Sequence, residues 1–341
     1  MKTRKLFHSQ LRFDQLDEIA AMSFLSITLI SYILCLQFFH AEAEGVSVDA
    51  HSEVKEEKRF MQYGNIEVLE KLPHDPSFFT QGLALFNGSL YEGSGMNGQS
   101  KLRKLDMSDP SKPLQEIDLP QEFFGEGITP YKNGLGEDRL IQITWRERTA
   151  FVYDPKSFKL LFQVKYHKET SNGQGWGITY DQPRNEFIMS DGTTNIFFWD
   201  VGVLDSCETS VASSETKDAN ETSMCDVVIE AARSIDVKAK LQQQSETPIP
   251  VQHLNELEFL PISTIKGHDS PTLLANVWYQ QYILEIDIES GEVLKLFNLA
   301  TICPTMTSEN VLNGISISDE GNDILFVTGK LWDSIYKIRI Y

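Results

Sequence analysis

Leu140–Asp154, LIQITWRERTAFVYD, is two apolar β runs parted by a polar and aromatic break and closed by an acid. Runs rich in β-branched and aromatic residues on either side of a turn mark paired strands. Four other stretches share the form: LYEGSGMNGQSKLRKLD (90–106), EFIMSDGTTNIFFWD (186–200), LLANVWYQQYILEID (273–287) and ILFVTGKLWDSIYKIR (324–339). Their closing residues are Asp106, Asp154, Asp200, Asp287 and Arg339, separated by 48, 46, 87 and 52 positions. A four-stranded propeller blade takes about 40–50 residues, so three of these intervals are one blade each. The long interval is a blade plus an insertion.

A shorter element precedes each pair: FTQGL (79–83), FGEGI (124–128), GWGI (175–178), LNEL (254–257) and LNGI (312–315). In a propeller the first strand of each blade lines the central channel, where a glycine or small gap permits close approach. Gln81, Glu126, Trp176, Asn255 and Asn313 then stand at equivalent heights around one opening. A second ring follows from the next strand, because Trp145, Asp191, Trp278 and Lys330 each lie nine residues before a closing charge. The expected fold is all-β, a five-bladed β-propeller. An open β-sandwich would not need five equivalent Gly-punctuated strands. The outer strand missing from the fifth blade is expected from NIEVLEKL (65–72), an N-terminal strand that closes the ring and leaves no exposed edge.

Residues 203–249 hold ETSVASSETKDANETS and KAKLQQQSETPIP, polar and turn-rich, around a short helical or strand-like patch, Val227–Ala232, and are read as a surface insertion in the third blade. Ahead of the propeller, expected over 61–341, lies a linker at 44–60. Residues 1–43 contain the apolar run MSFLSITLISYILCLQFF (22–39) followed by Ala41-Glu42-Ala43, which suits signal peptidase. A cleaved signal peptide and a retained signal anchor both fit, since the 21-residue lead is long for the former. Either places the chain in the secretory pathway, with membrane attachment only if the anchor is kept. Asn87-Gly88-Ser89 and Asn220-Glu221-Thr222 are glycosylation acceptors in agreement with export. Cys207 and Cys225 flank the polar stretch and are expected to pair in an oxidising compartment, leaving Cys303 as a free thiol.

The chain carries 30 Lys+Arg against 49 Asp+Glu, a net charge of −19, which argues against a nucleic-acid partner. No cysteine or histidine spacing suits a metal, and no phosphate loop, dinucleotide fingerprint or Ser-His-Asp order is present. The two rings bring together Glu126, Lys330, the amides Gln81 and Asn255, and Trp145, Trp176 and Trp278. Tryptophans on strands serve equally well as core, and a lone glutamate on a strand is ordinarily solvated. Their coincidence in register is what favours a pocket with aromatic walls and few convergent polar groups. A carboxyl among aromatic rings favours its neutral form and suits proton shuttling, and a lysine opposite it can stabilise a developing oxyanion.

These residues sit in segments that resemble the plant-type glutaminyl-peptide cyclotransferases, or glutaminyl cyclases, over about Ile66 to Ile340: LPHDPSFFTQGL, FFGEGIT, QITW, GWGITY, HLNELEFL, ANVW, VLNGIS and FVTGKLW. The resemblance implies a five-bladed propeller that converts the N-terminal glutamine of peptides or proteins to pyroglutamate with loss of ammonia. It also implies that no cofactor or catalytic metal is needed. By motif it makes Glu126 the general acid/base, Lys330 the charge-stabilising lysine and Asn255 a substrate-orienting amide. Phe79, Gln81, Phe124, Trp145, Trp176 and Trp278 become the substrate pocket. A monomer is expected. The competing reading, from a different class, is a non-catalytic secreted propeller that binds peptides or sugars. Retention of both Glu126 and Lys330 in register argues against it.

Overall fold

The computed structural model describes residues 60–166, 173–213, 224–241, 247–307 and 309–341. The leader with its apolar run and cleavage motif, the linker up to residue 59, and Asn220 lie outside the described residues. Among the described residues no helix is long and apolar enough to cross a membrane.

The strands form five antiparallel-cored sheets in an all-β, β-propeller arrangement. The inner strands are Thr80–Phe86, Gly125–Lys132, Ile178–Asp181, Leu254–Leu260 and Leu312–Ser318. Each packs beside the next, and the last returns to the first. An apolar layer fills each gap between neighbouring sheets. Phe187, Phe162 and Ile178 lie between the second and third sheets, for example, and Leu83, Leu90, Phe326 and Ile335 between the fifth and first. Full burial of one such aromatic contributes about 1.5–3 kcal/mol.

The inner strands approach each other too closely for side chains at their glycines. A Cβ on Gly127 would stand 2.8 Å from the Ile178 nitrogen, and one on Gly177 would stand 2.2 Å from the Asn255 carbonyl oxygen. The blade-ending acids have a local reason as well. Asp106, Asp154 and Asp287 accept the backbone N–H of Ser108, Ser157 and Ser290 at 2.9, 2.7 and 2.7 Å, which turns the chain into the fourth strand. Asp200 instead accepts from Gly202 at 2.8 Å and starts a 3₁₀ turn, Val201–Leu204. Arg339 pairs with Glu67 on the adjoining strand.

That adjoining strand is Ile66–Pro73, antiparallel to Ser334–Ile340 from Ile66↔Ile340 to Pro73↔Ser334. The sheets are not alike. Three have four strands, the second gains Met224–Ile229 at its outer edge, and the fourth has seven. The segment read as a polar surface insertion needs correction. Ala231–Asp236 is the outer strand of the third sheet, and Lys238–Ala239 pairs with the fourth. Outer strands alternate exposed and half-buried residues, as Ala231–Asp236 does, so their composition matches that of a surface loop. Cys207, on the helix Asp205–Ser213, is disulfide-bonded to Cys225 and ties that helix to Met224–Ile229. Cys303 is a free thiol, and burial pushes it up to about 12. Asn87 sits in an exposed turn with φ 49°.

Candidate active site

Inner-strand register places Gln81, Glu126, Asn255 and Asn313 in one buried layer, with Trp176 just ahead of its strand. Glu126 is 5% exposed, and its carboxylate makes no hydrogen bond among the described residues. Burial pushes this carboxyl well above the ordinary carboxylate range. The Lys330 charge pulls it back, and Glu147 adds to the rise. Lys330, also 5% exposed, is lowered by burial against the opposing pull of Glu126 and Glu309. Its ammonium lies 4.7 Å from the centre of the Phe79 ring. The two groups therefore act on each other's charge, although no ion pair among the described residues joins them.

The amides are fixed differently. Gln81 has its Oε1 held by the Asn313 side-chain amide at 2.8 Å, which turns its own NH₂ group away from that contact. Asn255 is anchored through its backbone carbonyl, which accepts the Ser190 hydroxyl at 2.5 Å. Its Oδ1 is buried without a partner, as is the Trp278 indole N–H. A buried acceptor and a buried donor left unpaired cost about 1–3 kcal/mol each, a cost that a substrate amide or amine can remove.

The aromatic residues are in mutual contact. Phe79 meets Phe124 edge-on at 6.4 Å, Phe124 tilts against Trp145 at 5.5 Å, and Trp176 meets Trp278 edge-on at 5.5 Å. Two glycines seat these rings. A Cβ on Gly95 would lie 2.2 Å from the Phe124 ring, and one on Gly192, at φ +79°, would lie 2.5 Å from Trp176. Asp191, expected beside the tryptophans, caps the Thr193 turn through its Oδ1 at 2.9 Å.

Sequence reasoning missed Gln174. Its Oε1 accepts the indole N–H of Trp145 at 2.5 Å and of Trp176 at 2.9 Å, so one side chain fixes two rings from different sheets. A single glutamine in a glycine-rich loop carries no signal of that role. Among the described residues no three His, Cys, Asp or Glu side chains come together as metal ligands.

A glutaminyl-peptide cyclotransferase of Arabidopsis thaliana is 27% identical over 346 residues, covering 99% of this chain and 87% of the relative. The crystal structure of Myxococcus xanthus glutaminyl cyclase superposes with a TM-score of 0.59 at 24% identity, over 82% of this chain and 98% of that one. The family model for glutamine cyclotransferase matches residues 41–232 and 226–340. With both matched segments running through the sheets that carry the site, the chain belongs to the glutamine cyclotransferase family.

Proposed function

We propose that Glu126 moves the proton in a glutaminyl-peptide cyclotransferase reaction on the N-terminal glutamine of peptides or proteins. The α-amine nitrogen attacks the side-chain amide carbon, a five-membered ring closes, the C–NH₂ bond breaks, and pyroglutamate and ammonia leave. The nucleophile is tethered to its own electrophile, so closing the ring needs orientation and no enzyme nucleophile. One proton must travel from the attacking amine to the departing nitrogen. A carboxyl with a raised pKa and no protein hydrogen bond can take it and return it, which contributes about 10²–10⁴-fold. The burial of the Glu126 carboxyl beside the Lys330 charge, with no hydrogen bond to it among the described residues, is the observation that carries the assignment.

Lys330 is suited to the negative oxygen of the tetrahedral intermediate. The unpaired Asn255 Oδ1 is suited to an N–H of the α-amine, and the Trp278 N–H to a substrate carbonyl. The tryptophans enclose the apolar part of the glutamine side chain and keep water out. Counting each sheet as one blade gives a five-bladed ring with this pocket at its inner-strand layer. Action on exported peptides belongs to the same reading, supported by the leader motif and the Cys207–Cys225 bond.

The test is ammonia release and the matching mass loss from a Gln-initiated peptide, for wild type and Glu126→Gln. The variant keeps the shape of the side chain and is expected to fold while losing about two orders of magnitude in kcat. Peptide binding by wild type without mass loss favours the non-catalytic propeller.

A further inference from the structure

We propose that His74, as an imidazolium, is a positioning residue that fixes the turn carrying Lys330 against the strand that carries Gln81 and is entered from Phe79. The proposal rests on the cyclotransferase reading of the site. His74 follows the closing strand Ile66–Pro73 and is itself buried. Its Nδ1 lies 2.8 Å from the Trp332 carbonyl, two residues beyond Lys330, and its Nε2 lies 2.8 Å from Glu92 Oε1. The Trp332 carbonyl can only accept. Glu92 already accepts the Thr80 hydroxyl at 2.6 Å on Oε1 and Arg103 Nε at 2.9 Å on Oε2, as a carboxylate does. A neutral imidazole has one N–H and would leave one of the two contacts without a proton, whereas an imidazolium satisfies both.

The charges facing His74 balance. Glu92 approaches from Ser89–Ser94, and Arg103 from Lys101–Asp106 with its NH2 atom 3.5 Å from Nε2; Asp75 pairs with Arg103 at 3.1 Å. Burial and the Arg103 charge work against the charged imidazole, but the charge and hydrogen bond of Glu92 and the Trp332 carbonyl outweigh them, and His74 is raised.

The cluster reaches the site at two ends. On one side the Lys330–Trp332 turn contains Leu331 at φ 59°, a left-handed conformation that costs a non-glycine residue energy and persists only when its surroundings impose it. What imposes it is His74 on the Trp332 carbonyl, together with the Leu331 N–H donating to Phe78 at 2.9 Å. On the other side Glu92 holds Thr80, whose carbonyl accepts the same Asn313 amide that orients Gln81. The Arg103 guanidinium carbon lies over the Phe78 ring, 3.4 Å from its centre, which holds the residue just before Phe79.

The experiment uses the full chain. The kcat and KM of peptide cyclisation are measured for wild type, His74→Phe, His74→Asn and His74→Gln, each with a thermal melt. Nitrogen NMR titrates the wild-type imidazole. His74→Phe is expected to lower kcat about tenfold to a hundredfold with KM within about threefold, since misplacing a group by an ångström costs on that order. His74→Asn keeps an N–H for Trp332 and should recover most of the loss, while His74→Gln keeps only the Glu92 contact and should not. In wild type both ring nitrogens should be protonated near neutral pH, and kcat should fall with alkaline pH as His74 loses its proton. Equal losses in the Asn and Gln variants that track their melting temperatures overturn the role, as does a neutral imidazole near neutral pH. If the variants do not fold, the wild-type titration decides: an alkaline limb of kcat away from that of His74 overturns it. A wild-type chain that releases no ammonia removes the cyclotransferase reading and this role with it, while the NMR result still reports the charge of the cluster.

Discussion

Glu256 Oε1 accepts the backbone N–H of Leu83 at 2.6 Å, joining the fourth inner strand to the first, two strands that are not neighbours in the ring. Glu256 stands where the other inner elements carry Gly82, Gly127, Gly177 and Gly314, one residue past the layer of Gln81, Glu126, Asn255 and Asn313. Its side chain takes space that four glycines leave near the axis. Burial pushes its carboxyl well above the ordinary range, against the pull of the Leu83 N–H it accepts.

Glu256→Gln keeps the shape and the acceptor, and is expected to unfold within about 1 kcal/mol of wild type. Glu256→Ala leaves the Leu83 N–H buried and unpaired, and should cost about 1–3 kcal/mol more. Urea unfolding of both variants measures the difference. An alanine variant as stable as the glutamine variant would mean that the contact does not hold the strands.

Glu258, two residues along the same strand, gives the fold a pH dependence. It accepts the Ile317 N–H at 2.8 Å, and burial raises it from 4.5 to about 7. The native state thus holds this proton more tightly than the unfolded chain. Its contribution is complete below pH 4.5 and declines as pH rises through about 7. The loss is at most about 3 kcal/mol, because the residue keeps a partly exposed edge. Stability measured across that range should slope downward, and Glu258→Gln should flatten the slope.

Lys330→Met keeps the aliphatic stem over Phe79 and removes the cation. If the ammonium meets the oxyanion, kcat should fall about a hundredfold while KM changes little, because the interaction strengthens in the transition state. Initial rates over a substrate series separate the two. A raised KM at unchanged kcat would make Lys330 a binding residue.

Gln174→Leu removes the acceptor shared by Trp145 and Trp176. Two indoles then lose their fixed orientation, and KM should rise about tenfold, the equivalent of about 1.4 kcal/mol of lost positioning. The effect on kcat should be smaller than that of Lys330→Met. Tryptophan fluorescence of the free enzyme should also change, since both rings belong to the pocket.

The inner strands were legible because steric crowding near the axis writes glycine into the sequence at a fixed offset, as at Gly127 and Gly177. The blade-ending acids were legible because their side chains close a local turn, as Asp154 does on Ser157. Both signals are confined to a few neighbouring residues. Glu256 broke the glycine pattern without announcing what it reaches, since Leu83 is a tertiary partner 173 positions away. The place of Ala231–Asp236 in the third sheet was hidden, beyond a strand-like patch at Val227–Ala232, because an outer strand needs only one apolar face. His74, Glu92 and Trp332 look unrelated along the chain, and only the folded ring sets a carbonyl and a carboxylate on opposite sides of one imidazole.

The pairing of Ile66–Pro73 with Ser334–Ile340 also bears on how the protein is made. On the ribosome the first of these strands emerges long before its partner, and synthesis runs at about 5–20 residues per second. Until Ser334–Ile340 is translated, Ile66–Pro73 presents an unpaired edge, a surface open to mispairing with other chains. His74 meets the Trp332 carbonyl, two residues beyond Lys330, at the same junction, so the turn carrying the lysine is not held there before the ring closes. A nascent chain stalled short of that strand would carry Glu126 and its aromatic wall yet lack the fixed lysine, so the assembled pocket waits on the synthesis of Ser334–Ile340.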